Sequence, residues 1–336
     1  MSRTSLTGLT RIGRKIDPII HEALARSSSP RFLPSLVYHF HVGGKRMRAA
    51  LVMLCCAAAG GTLDDGLKPA AAVEMIHNYS LVMDDMIDRG VVRRGKPTVR
   101  VHAGDSVSLL VAMFYREVLD DLIQECPRRK EIRRIAVQSM KEIIDGERLD
   151  LLFEQAGRDD PYLRINRVSE PSLELYLEMI GKKTASLFKA ASEIGAYSAG
   201  ARPGIVRALG VFGWKAGLSF QVMDDVLDIC GAETGKQAAK DVIEHKLGNA
   251  ALLVAFKFLP PMGRRELMGI LRTQNVSEEM AERARRLVAK TPAEIACREV
   301  AQAYLEDARR QLAVLPDSEY KESLAHLSDR FISRTY

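Results

Sequence analysis

The chain has 336 residues, 47% hydrophobic and 27% charged, and this balance excludes a disordered polymer and leaves ample apolar surface for a core. The net charge of +6 is carried by short basic pairs beside glycine (Gly44-Lys45-Arg46, Arg93-Arg94-Gly95) rather than by a long Lys/Arg run. With only 6% aromatic residues and one Trp, this distribution fits compact anions such as phosphates and argues against nucleic acid.

The first sixteen residues are basic and contain no acid, which a short targeting peptide would share; the pattern runs on into helical sequence and is read as the start of a first helix. The longest apolar stretch, Ala49 to Gly61, falls short of the ~20 residues that span a bilayer, so no transmembrane segment is expected. Five scattered cysteines without a CxxC favour a reducing compartment, and a cytoplasmic protein is expected.

Helical spacing of apolar residues dominates the rest, as in Val73, Ile76 and Leu81, and again in Ile180, Leu187 and Ile194. Thr291-Pro-Ala-Glu294 reads as a capping box and Ser277 as an N-cap. Breaks fall at Gly60-Gly61, Arg158 to Pro161, Gly200 to Gly204 and Pro260-Pro261, none long enough to be a linker. The expectation is an all-α fold, a single domain over residues 1–336 built of many helices.

Two acidic clusters share the pattern DDxxD: Asp84, Asp85 and Asp88, then Asp224, Asp225 and Asp228. On a helix, residues four apart stack about 6 Å from one another, so each cluster gathers like charges on one face. That arrangement is stable only beside a cation, and an all-oxygen set suits Mg²⁺ completed by phosphate oxygens and water. Facing each other across a cavity, the clusters would clamp a diphosphate through several Mg²⁺ ions. Gly43-Gly44 lets backbone approach an anion while Lys45 and Arg48 contact it. Arg93, Arg94, Lys183, Thr184, Lys236 and Lys246 add more cationic and polar groups than one diphosphate needs, which points to a second diphosphate held without metal. Arg46 and Lys182 are read as surface charges.

These residues carry a resemblance. HNYSLVMDDMIDRGVVRRGKPTV and GLSFQVMDDVLDICG resemble the two aspartate-rich regions of trans-type isoprenyl diphosphate synthases. GGKRMR is similar to their isopentenyl diphosphate motif and MIGKKTASLF to their Lys-Thr motif, in the same order from Gly43 to Lys246. The resemblance implies an all-α isoprenoid synthase fold around a central cavity, a homodimer, and Mg²⁺-dependent condensation of isopentenyl diphosphate with a dimethylallyl, geranyl or farnesyl diphosphate. It implies that the six aspartates coordinate or support Mg²⁺, and that Arg93, Lys183 and Lys236 bind the allylic diphosphate. It implies as well that Gly44, Lys45, Arg48, His77 and Arg94 bind isopentenyl diphosphate. By the same resemblance Gln221 is expected to stabilise the developing cation, Thr184, Asp241 and Lys246 to give support, and Arg334 to close over the site. In this family the residue five before the first aspartate lies at the floor of the product pocket; here it is Tyr79, followed by Ser80. A large ring there resembles archaeal geranylgeranyl-forming enzymes, with farnesyl or geranylfarnesyl products as alternatives.

The chain departs from the family pattern at Met83, at Val111-Ala112-Met113, at Glu147 where Gln is usual after Gly146, and across Glu244 to Asn249. Two rival classes are a terpene cyclase, which needs one diphosphate site only, and a non-catalytic partner subunit, which would ordinarily have lost an aspartate cluster.

Overall fold

The structure, a computed structural model, describes residues 6–231 and 239–332. Lys236 and Arg334 lie outside the described residues, as do the first five residues of the basic start. The described residues form helices α1 (Leu6–Arg14), α2 (Asp17–Ser27), α3 (Leu33–His41), α4 (Met47–Ala58), α5 (Leu67–Ile87), α6 (Val99–Ala103), α7 (Asp105–Gln124), α8 (Arg129–Leu152) and α9 (Pro161–Asn166). These are followed by α10 (Leu173–Ile180), α11 (Ser186–Ser198), α12 (Pro203–Cys230), α13 (Lys240–Ile243), α14 (Ala250–Phe258), α15 (Pro261–Leu271), α16 (Glu278–Ala289), α17 (Ala293–Gln311) and α18 (Glu319–Ile332). A two-stranded hairpin, β1 (Val92–Arg93) with β2 (Lys96–Pro97), interrupts the helices between α5 and α6. The all-α expectation holds, and each expected break falls between helices or runs into the first residues of the next one.

Two compact units are distinguished. The first comprises the residues up to Lys141 with Leu187–Gly213 and Arg309–Ser328; the second comprises Glu142–Ser186, Trp214–Ala308 and the residues from Asp329. In the first unit α4 is buried on nearly every side, so its unbroken run of small apolar residues is core sequence. No described helix is long and apolar enough to cross a membrane. Gly195 on α11 makes the close approach to α4 possible, because a Cβ there would stand 2.3 Å from the Val52 carbonyl oxygen. The second unit packs Phe153, Tyr176, Met223, Leu252 and Leu267 into its own apolar core.

Local chemistry sets the helix ends. Ser277 caps α16 by accepting from Met280 N, as its sequence predicts. Thr291 departs from the expected capping box: its hydroxyl accepts from Ala293 N at 3.3 Å, while the Glu294 carboxylate turns away to Arg298 at 2.9 Å. The charged partner one turn ahead outcompetes the backbone N–H. Between α10 and α11 the helix widens into a π turn, Gly181–Ala185, with the ring of Trp214 against Gly181. One extra residue in that turn rotates Lys183 and Thr184 relative to a regular helix.

Candidate active site

In the first unit, Asp84 and Asp85 occupy the last turn of α5, and Asp88 is its C-cap, its N–H donating to the Asp84 carbonyl at 2.8 Å. The C-terminal end of a helix carries the negative pole of its dipole, so three carboxylates there require an added cation. Arg93 supplies one such charge. Its guanidinium donates to Asp85 at 2.9–3.1 Å and to Asp84 Oδ2 at 2.8 Å. Burial works against the Arg93 charge, but the two aspartates outweigh it and raise the pKa.

Arg93 and Arg94 reach their places through the hairpin. Arg94 (φ 54°) and Gly95 (φ 75°) form its two-residue turn in the left-handed conformation that matches strand twist. Arg94 donates to the Gly43 carbonyl, joining the turn to the loop before α4. In that loop Gly44 has φ 140°, and a Cβ would lie 2.7 Å from Arg46 Nη1 and 3.0 Å from Arg94 Nη1. Only glycine lets two guanidinium groups stand this close to the chain. Lys45 is exposed, whereas Arg48 lies with Nη1 3.2 Å from His77 Nε2 and its guanidinium over the Phe188 ring at 4.6 Å. Arg48 donates, so His77 Nε2 is the bare nitrogen. Burial, then Arg48 and Arg94, hold His77 neutral, well below its ordinary pKa. Burial and the Arg93 charge likewise lower the pKa of Arg94. This crowd of positive charge fits an anion.

Arg46 corrects the surface reading. It is 4% exposed and pairs with Asp17 at 2.9 Å, donates to the Phe40 carbonyl at 3.0 Å and approaches Glu74 at 3.5 Å. Its work is to seat the glycine loop, since a buried guanidinium persists only where acceptors surround it. Lys182 does sit near the surface, bridging Asp145 and Glu178. His39, which sequence reasoning missed, is buried against the arginines, and burial together with Arg93 pushes its pKa down to about 3.

In the second unit, Asp224, Asp225 and Asp228 again lie at the C-terminal end of a long helix, α12. Gln221, one turn earlier, donates from Nε2 to Asp225 Oδ1 at 2.9 Å and accepts from the Thr184 hydroxyl at 2.7 Å. Asp225 Oδ2 accepts from the Tyr176 hydroxyl at 2.7 Å and from Ala250 N at 2.9 Å. Asp228 accepts from the backbone N–H groups of Lys240 and Asp241 at 3.0 and 3.1 Å. Asn249 caps α14 and donates to Asp241 at 2.8 Å. Burial, then the neighbouring Asp241, raises Asp225 well above the usual carboxylate range and Asp228 to about 7. Asp241 is also raised by its burial.

Lys183 and Lys246 meet at Asp150. Its Oδ2 lies 2.8 Å from Lys183 Nζ and 3.2 Å from Lys246 Nζ. Burial alone would raise the Asp150 pKa, but the two lysines bring it down to about 2. Gly146 allows this approach, because a Cβ there would stand 2.3 Å from Lys183 N. The strand-like pairing of Glu154 with Lys246 fixes the backbone on the other side.

The donors suit a hard divalent cation: all are carboxylate oxygens, sit at negative helix poles, and hold on to protons where they crowd one another. Among the described residues no group of three or more His, Cys, Asp or Glu closes into a metal cage on its own. Tyr79 is partly buried on α5, and Ser80 donates to the His77 carbonyl at 2.8 Å.

Comparison with known proteins agrees with these features. The polyprenyl synthetase family profile matches residues 30–288. The chain is 31% identical over 327 residues to a geranylgeranyl diphosphate synthase of Methanosarcina mazei, covering 96% of this chain and 95% of the other. It is 32% identical over 305 residues to a geranylfarnesyl diphosphate synthase of Aeropyrum pernix, covering 87% and 91%. A polyprenyl synthase from Caulobacter crescentus, solved in complex with calcium and isoprenyl diphosphate, superposes with a TM-score of 0.86 at 31% identity over 98% of both chains. The chain belongs to the polyprenyl synthetase family and is a prenyltransferase.

Proposed function

We propose that the enzyme condenses isopentenyl diphosphate with an allylic diphosphate, releases pyrophosphate, and makes geranylgeranyl diphosphate as its main product. The observation that carries this reading is the doubling of the polar equipment. Each unit holds an aspartate cluster at a helix C-terminus, and the first unit holds in addition an arginine-rich group around Gly44, Arg48, His77 and Arg94 that would take a second anion without metal. A terpene cyclase has no use for that second anion site.

Asp84, Asp85, Asp88, Asp224 and Asp228 would hold Mg²⁺, with Asp225 as a support, its oxygens already engaged by three donors. Mg²⁺ held there would neutralise the charge that builds on the departing pyrophosphate as the allylic C–O bond ionises. Lys183 and Arg93 bind the allylic diphosphate, and Lys236 adds to them. Lys45, Arg48, His77 and Arg94 fix isopentenyl diphosphate so that its double bond attacks the allylic carbocation. Gln221, locked between Thr184 and Asp225, presents its amide dipole to the developing positive charge. The condensed cation loses its proton to the released pyrophosphate. Water must be kept from the cation, which it would quench to an alcohol.

Product length rests on Tyr79. Five residues along α5 is about 7.5 Å from Asp84, and the ring blocks the growing tail at that depth. The relatives named for geranylgeranyl and geranylfarnesyl products support this size class. The test is the purified chain with Mg²⁺, labelled isopentenyl diphosphate and each allylic starter, followed by product sizing; a C20 diphosphate is expected. Turnover of an allylic diphosphate without isopentenyl diphosphate would favour a cyclase instead. We also propose that the chain acts as a homodimer, which sedimentation tests directly.

A further inference from the structure

Lys183 is held by two carboxylates where one would suffice. Its ammonium lies 2.8 Å from Asp150 Oδ2 and 2.9 Å from Glu147 Oε2. Asp150 is shared with Lys246 at 3.2 Å, Lys246 meets Glu244 at 3.2 Å, and Glu244 meets Lys240 at 2.9 Å. Acids and lysines alternate along this row, three of each, so its lysines are already neutralised before any diphosphate arrives. Asp150 is the inner counter-charge, touched by two lysines. Glu147, its side chain 14% exposed against 7% for Asp150, adds a second negative charge beside Lys183. Its backbone is fixed, because the adjacent Gly146 packs directly on the main chain of Lys183.

We propose that Glu147 is a positioning residue that sets the affinity for diphosphate: it orients Lys183 and weakens the hold of that lysine on the allylic diphosphate and on pyrophosphate. The inference deepens the reading above and rests on the assignment of Lys183 to the allylic diphosphate. A diphosphate that takes one of the three ammonium N–H donors brings negative charge up to the Glu147 carboxylate. Repulsion across that short distance raises the energy of both bound anions. The row therefore keeps pyrophosphate from lingering after the reaction. Isopentenyl diphosphate is assigned to other side chains, the arginine-rich group of the first unit, and not to Lys183.

The test is Glu147→Gln, which removes the charge while an amide oxygen still accepts from Lys183. The KM for the allylic diphosphate should fall about tenfold, and inhibition by inorganic pyrophosphate should strengthen by a similar factor. The KM for isopentenyl diphosphate should not move. Glu147→Asp keeps the charge and should behave as the parent enzyme. Unchanged or weakened pyrophosphate inhibition in Glu147→Gln overturns the proposal, whatever its unfolding midpoint. Lys183→Ala separates the two levels of the argument. A raised allylic KM there with no response in Glu147→Gln defeats this inference alone. No change in Lys183→Ala defeats the assignment of Lys183, and the inference with it.

Discussion

The Tyr176 hydroxyl donates to Asp225 Oδ2 at 2.7 Å, and both residues are buried, 49 positions apart in the chain. With Gln221 and Ala250 N as further donors, Asp225 is tied to three elements: α10, its own α12 and α14. Tyr176→Phe leaves one acceptor site of a buried carboxylate unfilled and should cost about 1–3 kcal/mol of stability. Its effect on turnover should be far smaller than that of Asp224→Ala, for which a loss of at least about 100-fold is expected from removing a proposed metal ligand. Denaturant unfolding and steady-state turnover, measured on both variants, check this order; equal losses of turnover would place Tyr176 in the chemistry.

Asp228 gives a pH dependence with a definite sign. Burial and Asp241 raise its carboxyl from 3.8 to about 7, so between those values the folded chain keeps a proton that the unfolded chain has released. Its contribution to stability therefore falls as pH rises through that window. His39 and His77, held neutral by burial, act in the opposite direction, so the parent slope is a sum. Asp228→Asn isolates one component. In metal-free protein the variant should gain on the parent by at most about 1.4 kcal/mol for each pH unit between about 5 and 7, and no further above. Thermal unfolding at several pH values reads this directly; a gap that closes as pH rises contradicts it.

The same proton must leave when a cation binds. Mg²⁺ affinity in the parent should tighten with pH up to about 7 and then level off. Calorimetric titration with Mg²⁺ and pyrophosphate, repeated in buffers of different ionisation enthalpy, counts the protons released. Release of none near pH 6 would remove Asp228 from the metal site.

Lys45→Ala and Arg48→Ala should raise the KM for isopentenyl diphosphate about tenfold or more, each removing a charge-assisted hydrogen bond, while the allylic KM stays within about twofold. Arg48→Ala should have the larger effect, because its guanidinium is already fixed between His77 and the Phe188 ring. Weakening of the allylic substrate by the same factor would merge the two anion sites into one.

Tyr79→Ala should lengthen the main product, and Ser80→Phe should shorten it. Each added isoprene buries several methylene groups at roughly 0.8 kcal/mol apiece, so the tail grows until bulk stops it. Met75 and Ile76, both fully buried in the same helix, are the next obstacles. Product sizing on both variants is the measurement, and an unchanged distribution in both would put the floor on another element.

Much of the site is legible in the sequence because its signals are local. The two DDxxD clusters, the Gly43-Gly44 loop, the Arg94-Gly95 turn and the Gln221 spacing each concern residues within about one helical turn, where covalent geometry decides what lies beside what. The misread residues depend on distant partners. Arg46 reads as a surface charge until Glu74 and Asp17, 28 and 29 positions away, enclose it. Tyr176 and His39 lie outside any motif that spacing reveals. The π turn at Gly181–Ala185 is hidden as well, since Ile180, Leu187 and Ile194 keep a helical spacing across it.

By itself the sequence determined the helical fold, the positions of the breaks, and the gathering of carboxylates and basic residues into diphosphate-sized groups. These follow from periodicity, capping and turn chemistry, which act over a few residues. Only the tertiary structure decided which charges are buried and with whom they pair: Arg93 on Asp84 and Asp85, Lys183 between Glu147 and Asp150, Asp225 beneath Tyr176. The reason is desolvation. The energy of a charge depends on every group that replaces its water, and those groups arrive from helices far apart in the chain.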